Sequence, residues 1–124
     1  MNDLIGLEYH WGAHPRDGSG KTDCFQLVCE IRSRLGLSDY SEKFSWAYWL
    51  YDEETLRPIR MARWLMHEGQ RLKMPVVGAV ALLAEPDNAA LGTVTDQGVI
   101  CIAPGGCVVS VPVGRVSAHY FWVD

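Results

Sequence analysis

Cys24, Val28, Ile31 and Leu35 are apolar positions at helical spacing, and they predict a helix with that face turned inward. Thr22 or Asp23 stands where a side-chain oxygen can accept from the free N–H groups of the first turn, and Gly36 stands where the helix should stop. A second helical pattern spans residues 52–72, with Ile59, Ala62, Trp64, Leu65 and Met66 on its apolar side. Asp52, Glu53 and Glu54 suit its positive N-terminus, Pro58 is tolerable near its start, and Gly69 marks its end. From Met74 onward the pattern changes to short apolar runs at 76–83, 91–95, 99–103, 107–113 and 117–123. Pro86-Asp87-Asn88, Asp96-Gln97-Gly98, Pro104-Gly105-Gly106 and Val113-Gly114 punctuate them as turns. Helices first and a strand meander after predict an α+β fold, with N-terminal helices packed on a five-stranded antiparallel sheet.

Composition narrows this picture. The 124 residues suit one domain covering 1–124, large enough for a core without metals or disulfides. With 48% hydrophobic and 21% charged residues the chain is not disordered, and no repeat or low-complexity linker interrupts it. A formal charge of −4 gives no basic footprint for nucleic acid. No apolar run is long enough to insert in a membrane. Asn2-Asp3-Leu4-Ile5-Gly6 does not resemble a signal peptide, so the expected site of synthesis is a cytoplasm. Five tryptophans suggest a surface that meets sugar or another protein, although a Trp-rich core is the commoner use.

The four cysteines lack the close pairing of a zinc site, and no metal or cofactor is expected. Cys101 and Cys107 flank the Pro104-Gly105-Gly106 turn and can approach across a hairpin, reduced in a cytoplasm. The Gly/Pro-rich loop 13–21 is expected to be exposed and mobile. Gly18-Ser19-Gly20-Lys21-Thr22 within it lacks the first glycine of a phosphate-binding loop and follows no buried strand. Tyr40, Phe44, Trp46, Tyr48 and Trp49 cluster beyond the first helix, either as core or as a shelf beside it.

The candidate chemistry lies at Cys24. A thiol in the first turn of a helix meets the positive end of the dipole, which favours the thiolate. A small buried core cysteine is the alternative reading. Ile5-Gly6, Tyr9, Trp11-Gly12, Asp23-Cys24, Leu27-Val28, Leu35-Gly36 and Asp39-Tyr40 occur in an order that resembles the NlpC/P-sixty family of papain-like cell-wall cysteine peptidases. The branch they look most like is found in tail proteins of bacterial viruses. The runs 78–83 and 91–100 look like that family's G-D-V-x-L-L strand and H-V-G-V-V-T-D-x-G-V-I-H hairpin, while residues 41–74 match least.

The resemblance implies a papain-like, NlpC-type fold with Cys24 at the nucleophile position and Tyr9 and Asp23 beside it. The base histidine's place is Ala90, the place of the residue that orients it is Cys101, and the Gly-Asp start of the earlier strand reads Gly78-Ala79. His10 or His14 is the local substitute for the base, and His119 falls on the last strand as a surface or interface residue. With base and orienter gone, the implied function is a catalytically inactive structural component of a bacteriophage tail tip or baseplate. Such a protein sits in the virion, or in the host cytoplasm before assembly, and its partners are other tail or baseplate proteins. The alternative is an active peptidoglycan hydrolase, a cysteine endopeptidase or amidase using Cys24, with peptidoglycan as its partner. A third reading is a bacterial enzyme on the same fold acting on other acyl substrates.

Overall fold

Asp23 starts the helix around which the other elements are arranged. In a computed structural model that describes residues 1–52, 60, 63, 64, 67, 69–84 and 89–123, helix α1 runs from Cys24 to Arg34. Asp23 has extended backbone, and its Oδ1 accepts from the Gln26 N–H at 2.7 Å, which satisfies one of the free donors of the first turn. At the other end Gly36 takes a φ of 75°, the left-handed step that lets the chain turn out of the helix.

The helix is enclosed on nearly every side. Val28 and Ile31 face inward as the spacing predicts, but Phe25, Leu27, Cys29, Glu30 and Arg32 are buried as well. Phe25, Val28 and Cys29 pack with Val80, Leu82, Leu91 and Phe121, while Leu27 and Ile31 pack with Leu4, Ile100 and Val108.

Two charges go into the interior with the helix. Glu30 is held by Arg16, whose Nε lies 2.7 and 2.8 Å from its two oxygens, and by Arg34 at 3.4 Å. Arg32 donates to the carbonyls of Ser38, Gly78 and Val123, and its guanidinium lies over the rings of Tyr40 and Trp122. A buried charge costs several kcal/mol unless its hydrogen bonds are met, so these contacts are conditions of the fold.

The sheet has six strands among the described residues, not five. They are β3 (Gln70–Leu72), β4 (Val80–Ala84), β5 (Ala89–Thr95), β6 (Gly98–Ile102), β7 (Val108–Val111) and β8 (Ala118–Trp122). Their spatial order is β3-β8-β4-β5-β6-β7, and every neighbouring pair is antiparallel. The extra strand, β3, takes the last residues of the segment expected to be helical. Gly69 breaks the pattern, and Gln70 and Leu72 then pair with Trp122 and Tyr120 along the edge of β8. Of the rest of that segment, residues 53–59, 61, 62, 65, 66 and 68 lie outside the described residues. Arg60, Arg63, Trp64 and His67 are helical, and Asp52 is not. A short helix α2 (Ala47–Leu50) precedes it, and β1 (Glu8–Tyr9) and β2 (Lys21–Thr22) form a separate parallel pair before α1.

Residues directly opposite in an antiparallel pair share a face, and successive residues alternate. Val80, Leu82, Leu91, Ile100 and Phe121 therefore form the face toward α1. Ala79, Ala81, Val94, Val99 and Cys101 form a second cluster on the opposite face, edged by Leu83, Val109, Val111, Ala118 and Tyr120. Gly98 closes the β5–β6 turn at φ 121°, where a Cβ would lie 2.5 Å from the Val111 carbonyl oxygen, so no larger residue fits. Among the described residues, no helix is long and apolar enough to cross a membrane.

A capped cysteine at the head of the central helix

The N-terminus of α1 is held by one carboxylate. Besides capping Gln26, Asp23 accepts at Oδ2 from the Gly12 N–H at 2.9 Å and from the Tyr48 hydroxyl at 2.7 Å. Its own N–H donates to the Ala13 carbonyl at 3.0 Å. One side chain thus ties together the loop before β2, the helix and α2, and it is 3% exposed. Burial pushes its carboxyl up from the ordinary carboxylate value, against the pull of the Gln26, Tyr48 and Gly12 donors.

Residues 16–20 of loop 13–21 are exposed, as its composition predicts, whereas Ala13 is buried, and the loop is tied in place. Arg16 reaches back to Glu30, and Asp17 accepts from Ser19 and from the His14 N–H. The Ser19 hydroxyl, with the backbone N–H groups of His14 and Ser19, pulls the Asp17 carboxyl down to about 2.

Cys24 follows the cap, and its thiol is not activated. Burial, and then the Asp23 charge next to it, push it from 9.0 up to about 12. The N–H groups of Leu91, Cys24 and Phe25 pull the other way and lose. Desolvation thus opposes the thiolate that the positive end of the helix dipole favours. Cys29, one turn on, is also raised by burial and by the charge of Asp39.

The residue of the sheet that meets the thiol is Leu91, which packs in the same cluster as Cys24 and whose N–H acts on the sulfur. Ala90 pairs with Leu83, and Cys101 pairs with Gly92. Leu83 and Cys101 belong to the cluster on the far side of the sheet, so positions 90 and 101 point away from α1. The structure brings together Asp23, Cys24, Tyr48 and Leu91 and leaves Ala90 and Cys101 on the other face. Cys101 pairs with Val109 rather than with Cys107, and all four cysteines are free.

Tyr9 is exposed on β1, opposite Thr22, with its N–H donating to the Gly106 carbonyl at 2.7 Å. His14 Nδ1 accepts from the Arg16 N–H at 3.0 Å, and His10 is exposed with its N–H on the Thr22 carbonyl. Among the described residues, no histidine hydrogen-bonds Cys24. Nor do three or more His, Cys, Asp or Glu side chains among them group as metal ligands.

The aromatic cluster divides its work. Tyr40 and Phe44 are core residues, whereas Tyr48 stands at the helix N-terminus between Trp11 and Phe25, with ring centroids 5.4 and 6.5 Å away. Trp46 is half-exposed beside Trp64, which stacks on Phe44; the side chain of Trp49 lies outside the described residues. Trp11 Nε1 and Gln26 Oε1 are buried with no partner among the described residues. Sequence analysis did not single out Gln26 or Leu91 as neighbours of the thiol, whereas Tyr48 belongs to the aromatic cluster read as core or as a shelf. Gln26, three residues after the cap, carried the only local signal.

Cys24 thus packs, with Leu91, Trp11 and Tyr48, against one apolar cluster at the capped head of α1. No known protein family, curated protein or solved structure matches the chain.

Proposed function

We propose that this chain is a catalytically inactive protein on an NlpC-type peptidase fold, serving as a structural component of a bacteriophage tail tip or baseplate. The observation that supports inactivity is the state of Cys24: its thiol is pushed up to about 12, and Leu91 is the sheet residue beside it. Acyl transfer by a cysteine needs a thiolate and a group that returns a proton to the leaving amine. Loss of the acid–base group alone typically costs about 10^2–10^4 in rate. The assignment to a tail rests on the motif order from Ile5 to Ile100. Exposed Tyr9, Trp46 and Leu50 suit contact with other protein chains, because interfaces are rich in such side chains.

The test has two arms. Purified protein is expected to leave cell-wall peptidoglycan undigested, with or without Cys24→Ser, and to associate with the proteins encoded beside it. Digestion of peptidoglycan that Cys24→Ser abolishes would establish the hydrolase instead. A monodisperse monomer that binds none of its neighbours would remove the structural role.

A further inference from the structure

Strands β3 and β8 meet at an open cavity of about 520 Å³, lined by Arg71, Leu72, Lys73, Ala118, His119 and Tyr120. The lining divides by face. Leu72, Ala118 and Tyr120 belong to the cluster on the far side of the sheet. Arg71 stands opposite Phe121 and His119 opposite Leu82, so both lie on the α1 side. There Arg71 Nη2 approaches His119 Nδ1 to 2.6 Å. A guanidinium does not give up its proton, so the imidazole accepts at Nδ1 and carries its own proton at Nε2. Lys73 follows β3 directly, and its flexible four-carbon stem brings an ammonium to the same opening. All three side chains are exposed, and among the described residues neither Arg71 nor Lys73 is paired with a carboxylate. Arg16 and Arg34, by contrast, are each in ion pairs, on a chain whose formal charge is −4.

We propose that Arg71, Lys73 and His119 form a binding site for a phosphate group. Arg71 and Lys73 supply two positive charges, and His119 donates from Nε2. A phosphate monoester carries a charge of about −1.5 to −2 near neutral pH and offers three acceptor oxygens, so it matches both the charge and the three separate donors. A carboxylate, with one charge and two oxygens, would leave one cation unmatched. The site needs no apolar contact, in keeping with the hydrocarbon side chains lying on the other face. The donors address phosphoryl oxygens alone, so a soluble phosphate and a lipid headgroup present them with the same chemistry. The site is separate from Cys24. His119 stands opposite Leu82, and Leu82 opposite Leu91, which puts two strand spacings, about 10 Å, between the imidazole and the residue beside the thiol. The inference therefore holds whether or not the chain belongs to a phage tail.

The experiment is an NMR titration of the full chain at neutral pH and constant ionic strength, with inorganic phosphate in one series and acetate in another. Phosphate is expected to give saturable shifts at the amides of residues 71–73 and at the His119 ring, and acetate to bind about tenfold more weakly or not at all. Arg71→Gln combined with Lys73→Gln should weaken phosphate binding by about tenfold or more. Arg115→Gln, at the exposed turn before β8, should leave it unchanged. Sedimentation with phosphatidylcholine vesicles, with and without phosphatidic acid, distinguishes the two sources. Binding to the phosphatidic acid vesicles that the double variant loses, with free phosphate left unbound, would assign the phosphate to a lipid. A linear, unsaturable response to phosphate together with no vesicle binding would overturn the site. Equal saturation by acetate would overturn the phosphate assignment, and undiminished binding in the double variant would overturn the residues named.

Discussion

The head of α1 and the exposed edge where Arg71 of β3 meets His119 of β8 both gather polar side chains, and they use them in opposite ways. At the helix head, the Asp23 oxygens are taken up by Gln26, Gly12 and Tyr48, all within the fold. At that edge, among the described residues, the Arg71 guanidinium meets the His119 imidazole, and Lys73 is exposed. The first region has the sequence marks of an active site and the contacts of a structural joint. Of the second, the sequence marked His119 alone, as a surface or interface residue, and its side chains are exposed. Chemistry becomes available where the fold leaves polar groups uncommitted, and residue types alone do not reveal that.

The sharpest way to break the comparison is to remove the joint. Asp23→Ala strips a cap and leaves the Gly12 N–H and the Tyr48 hydroxyl without their acceptor, an expected loss of about 3–5 kcal/mol in denaturant unfolding. Arg71→Ala, on the open side, should change stability by less than about 0.5 kcal/mol. Equal effects would mean that the two regions are not built differently.

Alkaline pH gives the next largest effect. Folding raises the Cys24 thiol from 9.0 to about 12, so between those values the folded state holds a proton that the unfolded state has lost. Stability should therefore be intact below pH 9 and fall as pH rises toward 12, by up to about 4 kcal/mol from this group. Cys24→Ser, which does not titrate there, should flatten part of that decline. Unfolding curves at several pH values measure it, and an unchanged slope in the variant would show that the thiol is not desolvated.

A third experiment separates the two faces of β5. Leu91→His places an imidazole beside the sulfur and should speed iodoacetamide labelling of Cys24 near neutral pH by about tenfold. It should also cost about 2–4 kcal/mol for the lost packing of a fully buried leucine. Ala90→His should leave Cys24 labelling unchanged, because that side chain points to the far face. Faster labelling from Ala90→His would move the register of β5 by one residue.

Tyr48→Phe is the mildest. It removes one donor to Asp23 and keeps the ring against Trp11, so a loss of about 1–2 kcal/mol is expected in the same unfolding assay.

What could be read from the chain followed how local each interaction is. The cap at Asp23 and the stop at Gly36 depend on residues within one turn, and both stand where the spacing put them. The turns at 96–98 and 104–106 separate strands as expected, since glycine and proline act at their own positions. Strand β3 was hidden because Gln70-Arg71-Leu72 is too short to show a period, and its pairing is decided by the free edge of β8. The direction of position 90 was hidden for a different reason. Both faces of β5 carry apolar side chains, Leu91 on one and Val94 on the other, so alternation alone cannot tell which is inside. The surroundings of the thiol were hidden because Leu91, Trp11 and Tyr48 come from distant parts of the chain and join the cluster beside Cys24 only after it has folded.

One feature of the sheet bears on how the molecule comes into being. β8 follows all the other strands in sequence, yet it lies between β3 and β4, and the carbonyl of Val123 just beyond it receives the Arg32 guanidinium and the Tyr40 hydroxyl. Until residues 118–123 have left the ribosome, β3 has no neighbour, β4 presents an open edge, and the charge of Arg32 lacks one of its acceptors. The nascent chain can form α1 and the hairpins from β4 to β7, but its middle stays unzipped, with an edge that invites pairing with other copies. Termination before residue 118 would therefore leave an adhesive fragment in place of a slightly weakened protein.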